Sequence, residues 1–425
     1  MAGTSLWRNR NFTLLWTGQT ISEVGSQFTA LALPLLATLT LRASTFEVAL
    51  LTVCSSAGFL LVALHAGALI DRTRKKPVLV RTDLARAALI ATIPVAHVFG
   101  VLTIWQMYVV ALSSSILTVF FDVSYQSYLP VLVPRDALVE GNAKLTSSAE
   151  VARVGGPGAA GAVVAAVGAP YAVLVDAVSF LLSAGATAAI RDTEPKPGAR
   201  PEGQRLRHEI REGLSFVLRH PILKRIVACT GTSNFFSSML AAVEIVFLVR
   251  VLEASPQVIG VVLSLAALGG VLGALTASML ARRIGSARIV WLSLAVTAPL
   301  GFLAPLSFPG WGVALFGAAA FATAFGAVVY NVAQVSYRQL ICPPALLGRM
   351  NASVRFVVWG TMPLGALAGG GLGTWIGVRP TLFVAAAGLC AAVLWVIRSP
   401  LYGRRDFPTE ESDALTALLR EAEAR

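Results

Sequence analysis

The sequence predicts an all-α polytopic membrane protein of twelve transmembrane helices in two pseudo-symmetric six-helix bundles. Three observations predict it. Of the 425 residues, 56% are hydrophobic and only 13% are charged, against roughly 25% charged in a soluble domain. Apolar runs of the ~20 residues that cross ~30 Å of hydrocarbon recur along the whole chain. A motif of the first half also returns in the second. Pro134, Leu138, Asn142 and Ala143 recur 209 positions on as Pro343, Leu347, Asn351 and Ala352, and Gly156 and Gly161 recur as Gly365 and Gly370.

The spans are expected near 11–39, 47–70, 78–99, 104–128, 143–168, 171–190, 224–250, 257–280, 288–307, 311–334, 350–376 and 380–397. The first is too long for the apolar core of a signal peptide and lacks a cleavage pattern, so it reads as a span. The longest hydrophilic stretch divides the chain into a first bundle (1–190), a linker (191–223), a second bundle (224–398) and a tail (399–425). The linker opens on Pro195-Lys-Pro197-Gly, a flexible composition. Ile210, Leu214, Val217 and Leu218 then share one helical face, the pattern of an amphipathic helix lying on the membrane. The tail from Thr409 reads as a short helix.

Charge placement sets the orientation. Of 34 lysines and arginines, only Arg42, Arg250 and Arg379 fall in the loops of one side. The rest lie on the other side or in the adjoining halves of spans. The positive-inside rule then puts both termini in the cytoplasm, with the chain in the cell (inner) membrane. The net charge of +12 follows from that asymmetry and does not call for nucleic acid. Cys54, Cys229, Cys342 and Cys390 have neither metal-ligand nor disulfide spacing. His65, His97, His208 and His220 form no metal pattern. No phosphate-binding loop, zinc-hydrolase pair or nucleophile elbow is present. No enzyme activity, cofactor or metal is expected, and the chain is expected to act as a monomer among membrane lipids.

Between spans two and three lies Gly67-Ala-Leu-Ile-Asp71-Arg72-Thr-Arg74-Lys75-Lys76. This hinge, the two-half echo and the twelve spans together resemble the major facilitator superfamily. Gly156-Pro157-Gly-Ala-Ala-Gly161 is similar to the Gly-Pro antiporter motif found mainly in exporters. Asp176-Ala-Val-Ser179-Phe180, Gly348-Arg349-Met-Asn351 and Trp359-Gly-Thr-Met-Pro363-Leu-Gly365-Ala-Leu-Ala-Gly369-Gly370 resemble one branch of drug exporters. That branch includes macrolide-efflux proteins and enterobactin-type siderophore exporters. Two departures stand out. Ser26 occupies a place where relatives often carry an acid. Span four has Asp122 but lacks the arginine of many proton antiporters.

The resemblance implies two halves that rock about a central cavity lined by spans one, four, seven and ten. It implies a gate in which Asp71 faces the start of span eleven near Arg349, while Arg72, Arg74 and Lys75 hold the loop. The second-half copy of the hinge, Leu280-Ala281-Arg282-Arg283-Ile-Gly285, has no acid, so the gate is expected to be asymmetric.

Charges inside spans cost about 2.5–3.5 kcal/mol on insertion scales and need a partner, water or a function. Glu23 lies ~18 Å along the first span from Asn11. Gln19, Glu23 and Gln27 repeat every four residues and share one helical face. Glu23 and Asp122, the latter beside Tyr125, are the first candidates to carry protons. Glu150 and Arg153, three apart, either pair along their helix or join them, and Arg355 is a competing partner. Phe235, Phe325 and Tyr330 supply aromatic faces, and Asn234, Asn331 and Gln334 supply hydrogen bonds, to a cavity suited to an amphipathic small molecule. Gly156, Pro157 and Gly161, with Pro363, Gly365 and Gly369, allow close helix packing and bends. The expected function is proton-driven export of amphipathic small molecules such as drugs. A dedicated siderophore or natural-product exporter, a lysolipid flippase and a non-transporting scaffold are the alternatives.

Overall fold

The computed structural model describes residues 6–70, 73–134, 137–191, 194, 215, 217–341 and 344–407. They form α1 (Arg10–Leu35), α2 (Thr45–Ile70), α3 (Lys75–Val98), α4 (Ile104–Leu132), α5 (Leu138–Val167) and α6 (Ala169–Ala188) in the first half. The second half holds α7 (Leu223–Arg250), α8 (Pro256–Ile284), α9 (Arg288–Leu306), α10 (Val313–Ile341), α11 (Pro344–Trp375) and α12 (Val378–Ile397). A tighter turn over Ala298–Phe302, containing Pro299, interrupts α9. Eight helices are long and apolar enough to cross a membrane by composition alone among the described residues. The helices that carry polar stripes, α1, α3 and α5, are not in that set.

Several helices run well beyond their apolar spans at one end of the bundle. α5 begins five residues early and takes in Glu140, and α8 and α10 continue through Arg283 and Arg338. Hydropathy marks the hydrocarbon, whereas the backbone ladder continues into the wet interface. Side chains then close the helix starts. Asn9 accepts from the amides of Asn11 and Phe12 at 3.1 Å each. Ser44 and Glu47 cap each other reciprocally at the start of α2.

The internal repeat is visible in the backbone. Gly168 and Gly377, 209 positions apart, open α6 and α12 with φ of +87° and +91°, a region open mainly to glycine. Arg42 and Glu253, before α2 and α8, share φ of +51° and +53°.

One end of the bundle carries Arg8, Arg74, Lys75, Arg282 and Arg283 and is here called the basic end; Arg42, Arg250 and Glu253 mark the far end. At the far end a single hydrophobic cluster joins the halves, with Phe28, Leu35 and Tyr108 packed together with Phe247, Ile259 and Phe316. At the basic end each half has its own cluster. Phe12, Leu79 and Tyr128 belong to the first, and Leu223, Tyr337 and Met350 to the second. Small residues make the far-end seam. A Cβ on Gly161 of α5 would strike the carbonyl of Pro256, and one on Gly260 of α8 that of Pro157. The Gly158 amide donates to Ser264 Oγ at 3.0 Å. The repeat-related contact sets Gly370 of α11 on Ala49 of α2. The Arg250 guanidinium donates across the halves to the carbonyl of Ala43.

At the basic end each half closes on itself by the same device. Glu194, beyond α6, accepts the Lys75 amide at 2.8 Å and the Lys76 amide at 3.3 Å, and its carboxylate lies 3.7 Å from Lys75 Nζ. Asp406, beyond α12, accepts the Ser286 amide at 2.9 Å. The second-half hinge lacks an acid in its own sequence, and the segment after the sixth helix supplies one in both halves. Asp71 and Arg72, most of the linker, and the tail from Thr409 lie outside the described residues. Within the linker's end, Val217 is buried in the second-half cluster while Leu218 is exposed.

Candidate functional site

A cavity of about 660 Å³ lies mainly inside the first half and reaches α7 and α11. Helix α1 contributes Ser26 and Thr29, α2 contributes Ser56 and Phe59, α4 contributes Thr118 and Asp122, and α6 contributes Asp176 and Phe180. From the second half come Asn234, Trp359, Met362 and Pro363. The walls are mostly apolar, with hydroxyls spaced among them. Many of these hydroxyls already bond one turn back, as Ser56 does to Thr52 and Thr118 to Ser114. Phe59 and Trp359 bring α2 and α11 together with ring centroids 4.4 Å apart.

The charges of the cavity come from three helices. Arg86 of α3 is buried and forms an ion pair with fully buried Asp83, one turn back. Its guanidinium lies between the rings of Phe121 and Phe180, 4.5 and 4.2 Å from their centroids, an arrangement that stabilises a desolvated cation. Asp122 opens into the cavity. Asp176 is buried beneath it, accepting from Ser179 Oγ at 3.2 Å and Ser26 Oγ at 3.4 Å. The Arg86 charge acts on Glu23, Asp122 and Asp176 alike.

A second, polar pocket of about 430 Å³ lies nearer the basic end between α1, α4 and α5. Glu23 lines it with Gln19, Tyr125, Gln126 and Asn142. Gln19 Nε2 donates to Glu23 Oε1 at 2.8 Å. The predicted stripe therefore splits: Gln19 and Glu23 face this pocket, whereas Gln27 packs against α5 at Gly156. The α1 residues of the main cavity are instead Ser26 and Thr29. Tyr125, lining this second pocket, stacks on Phe121 at 6.1 Å.

Other candidates fall elsewhere. Glu150 and Arg153 pair along α5 at 2.7 Å, half exposed, with Arg153 reaching α8 at Gly270. Asn234 reaches the cavity and also donates to the Val358 carbonyl at 3.3 Å. Phe235 and Phe325 set their backbones against Gly365 and Gly273 in helix contacts, outside the cavity lining. Tyr330 is buried and ties α10 to α7 through Thr230 at 2.8 Å and the Ile226 carbonyl at 3.1 Å. Gln334 is buried and donates to exposed Asn331 at 2.8 Å. Gly156, Gly161, Gly365 and Gly369 all sit where a Cβ would collide with a neighbouring helix. Lys75 is held by Glu194 and Arg74 is exposed. Arg349 and Arg355 fall in α11 and Gly67 in α2, and beyond that place in the helix nothing about them is described. Among the described residues no group of three His, Cys, Asp or Glu side chains is placed to hold a metal ion.

Sequence reading passed over Arg86 and Asp83. A signal was present. Arg86 lies eleven residues into α3, ~17 Å from Lys75, beyond the reach of a side chain extending to the interface. Three bases in the preceding positions masked it as part of the cytoplasmic flank.

Residues 2–420 match the family described as transmembrane secretion effector. The chain belongs to that family of major facilitator transporters. It is 25% identical over 392 residues to an uncharacterised MFS-type transporter, YfiS, of Bacillus subtilis, covering 89% of this chain and 91% of that one. It is 25% identical over 369 residues to the multidrug efflux pump Tap of Mycolicibacterium fortuitum, covering 84% and 88%. Among solved structures, a bacterial homologue of the iron transporter ferroportin shares the fold at 18% identity. Its inward-facing form gives a TM-score of 0.74 over 94% of this chain and 100% of that one. Its outward-facing form gives 0.58 over 93% and 100%.

Proposed function

We propose that this transporter exports amphipathic small molecules by alternating access, in exchange for protons. The observation that carries the reading is Asp122. It is an acid open to a mainly apolar, aromatic-walled cavity of about 660 Å³, deep in helices whose charges are otherwise costly. Such a cavity admits a bulky amphipath, and an acid within it exchanges protons with the water that enters. The lysine and arginine asymmetry places the basic end in the cytoplasm. With the far-end seam joined by one shared cluster and the basic-end clusters separate, the conformation is then open to the cell interior. Gating by Asp71 and Arg349 remains part of this proposal. Glu23, in the pocket nearer the basic end, is the group through which protons leave for the cytoplasm, and Asp122 is the group that substrate and proton share. The similarity to a multidrug efflux pump supports export.

The test uses purified protein in liposomes with an imposed pH gradient and ethidium as probe. Wild type should drive ethidium against its gradient, and Asp122→Asn and Glu23→Gln should each lower that flux at least about tenfold while still inserting, the size expected of a lost proton-transfer group. Unchanged gradient-driven flux in both variants would refute the assignment. An apolar groove between α1 and α6, lined by Ile21, Val24, Leu174 and Leu182, supports a second reading in which the cargo is a lysolipid; lysolipid counterflow in the same vesicles separates the two.

A further inference from the structure

Arg86 is a buried cation surrounded by more carboxylates than it can neutralise. Phe121 of α4 and Phe180 of α6 bring their ring centroids within 4.5 and 4.2 Å of its guanidinium carbon. The edge of the guanidinium carries its five N–H donors. Along it one nitrogen meets Asp83, and Nη1 donates to Thr118 Oγ1 at 3.3 Å. Arg86 Nε and the second oxygen of Asp83 are both buried without a hydrogen-bond partner. Arginine–carboxylate pairs frequently take a forked, two-bond geometry, which this pair does not. A buried pair left with one contact and two unmet atoms is a weak source of stability.

The neighbours explain the unmet edge. Four helices bring a carboxylate within reach of its charge. These are Asp122 on α4, Asp176 on α6, Glu23 on α1 and Asp83 on α3 itself, while Tyr125 on α4 and Glu150 on α5 interact in turn with Glu23. Asp122 adjoins Phe121 in sequence, and Asp176 lies one turn before Phe180. Like charges in a poorly solvated site cannot all ionise against one cation.

We propose that Arg86 is the internal counter-ion that meters the protons of the cavity, pairing with Asp83 while Asp122 and Asp176 carry protons and turning its edge to them when they release. In the release step the O–H bond of the Asp122 carboxyl breaks and the proton passes to cavity water. The guanidinium keeps all its protons, and its charge offsets the carboxylate left behind. The two rings stay packed against the guanidinium while its N–H donors change partner. Arg86 is thus a positioning residue acting through the acids. This rests on the proton-exchange reading and adds to it the group that couples the acids to one another.

The test is an infrared titration of the protonated-carboxyl band of the full chain in liposomes, which needs no substrate. Arg86→Gln removes the counter-ion, so the pH of half-loss should rise by ~1–3 units, and Asp83→Asn frees Arg86 for the other acids, so it should fall by a similar amount. The double variant removes one charge of each sign and should return to the wild-type value. Arg86→Lys keeps the charge and should move it least. Shifts of the same sign, or none, would overturn the proposal and leave a structural pair. If Arg86→Gln does not fold, Asp83→Asn and the double variant carry the same test, since replacing a whole buried pair is often tolerated. Proton-driven ethidium flux is read separately in the same vesicles. Its absence with opposed infrared shifts would sink the transport reading while leaving the counter-ion in place.

Discussion

Gly161→Ala is expected to push the transporter toward the form open at the far end. The added methyl would meet the backbone carbonyl of Pro256, and a backbone carbonyl cannot swing aside as the tip of a long side chain can. Overpacking of this kind costs about 1–3 kcal/mol. The cost falls only on the form in which α5 and α8 touch there. When the halves part at the far end the methyl meets space. A bias of ~1–3 kcal/mol between two forms is ~5–150-fold in their ratio. Spin labels at Leu39→Cys and Val258→Cys, both exposed at the far end, would report the distance between the halves, with Cys54, Cys229, Cys342 and Cys390 replaced. The expected result is a growing long-distance population in Gly161→Ala. Gly155→Ala on the same helix is the control, because a Cβ there has nothing within 4 Å. An unchanged distance distribution in folded Gly161→Ala, or equal changes in both variants, would refute the view that this seam holds the far end shut.

Two further outcomes follow from the basic end. His220 Nδ1 accepts the amides of Ile222 and Leu223 at 3.2 Å each, and burial holds its imidazole below the ordinary 6.5. The fold therefore favours the neutral ring. The contribution of this cap is complete above the unfolded value, ~6.5, and is lost as pH falls through the lower folded value. Thermal unfolding against pH should show that loss in wild type, while His220→Ala should be less stable by ~0.5–2 kcal/mol at neutral pH and lack it; an identical slope in the variant would count against the cap. Glu194→Gln should weaken a charge-assisted contact by about 1.5–3 kcal/mol and speed amide exchange at Lys75 and Lys76, and Asp406→Asn should speed exchange at Ser286 more weakly, because the Asp406 carboxylate is exposed. Exchange unchanged at those amides would show that the clasps do not hold the helix starts.

The spans, the repeat and the class of protein were legible because each is a property of one helix at a time. Hydropathy located all twelve helices to within several residues, and the 209-residue offset reappeared in the backbone at Gly168 and Gly377. The small residues of the seam were legible too, since only glycine permits two backbones to touch. The candidate site was legible in part. Glu23, Asp122, Tyr125 and Asn234 line pockets, whereas Phe325 and Tyr330 serve helix packing. The acid of the second-half hinge was missed because it arrives from Asp406, more than a hundred positions away in the chain.

By itself the sequence determined that this chain is a helical membrane transporter built from a duplicated six-helix unit, with its bases gathered at one end. Composition, apolar length and repeat spacing are read along the chain and need no partner. Only the tertiary structure decided which polar groups share a space. Gln27 lies four residues after Glu23, yet it is packed against Gly156 while Glu23 faces a pocket. Arg86, read along the chain as one more interfacial base, lies between two aromatic rings among carboxylates of four helices. The physical reason is that helix rotation and crossing place a side chain within a few ångströms of a partner or turn it away, and electrostatic energy in a poorly solvated interior depends on that distance.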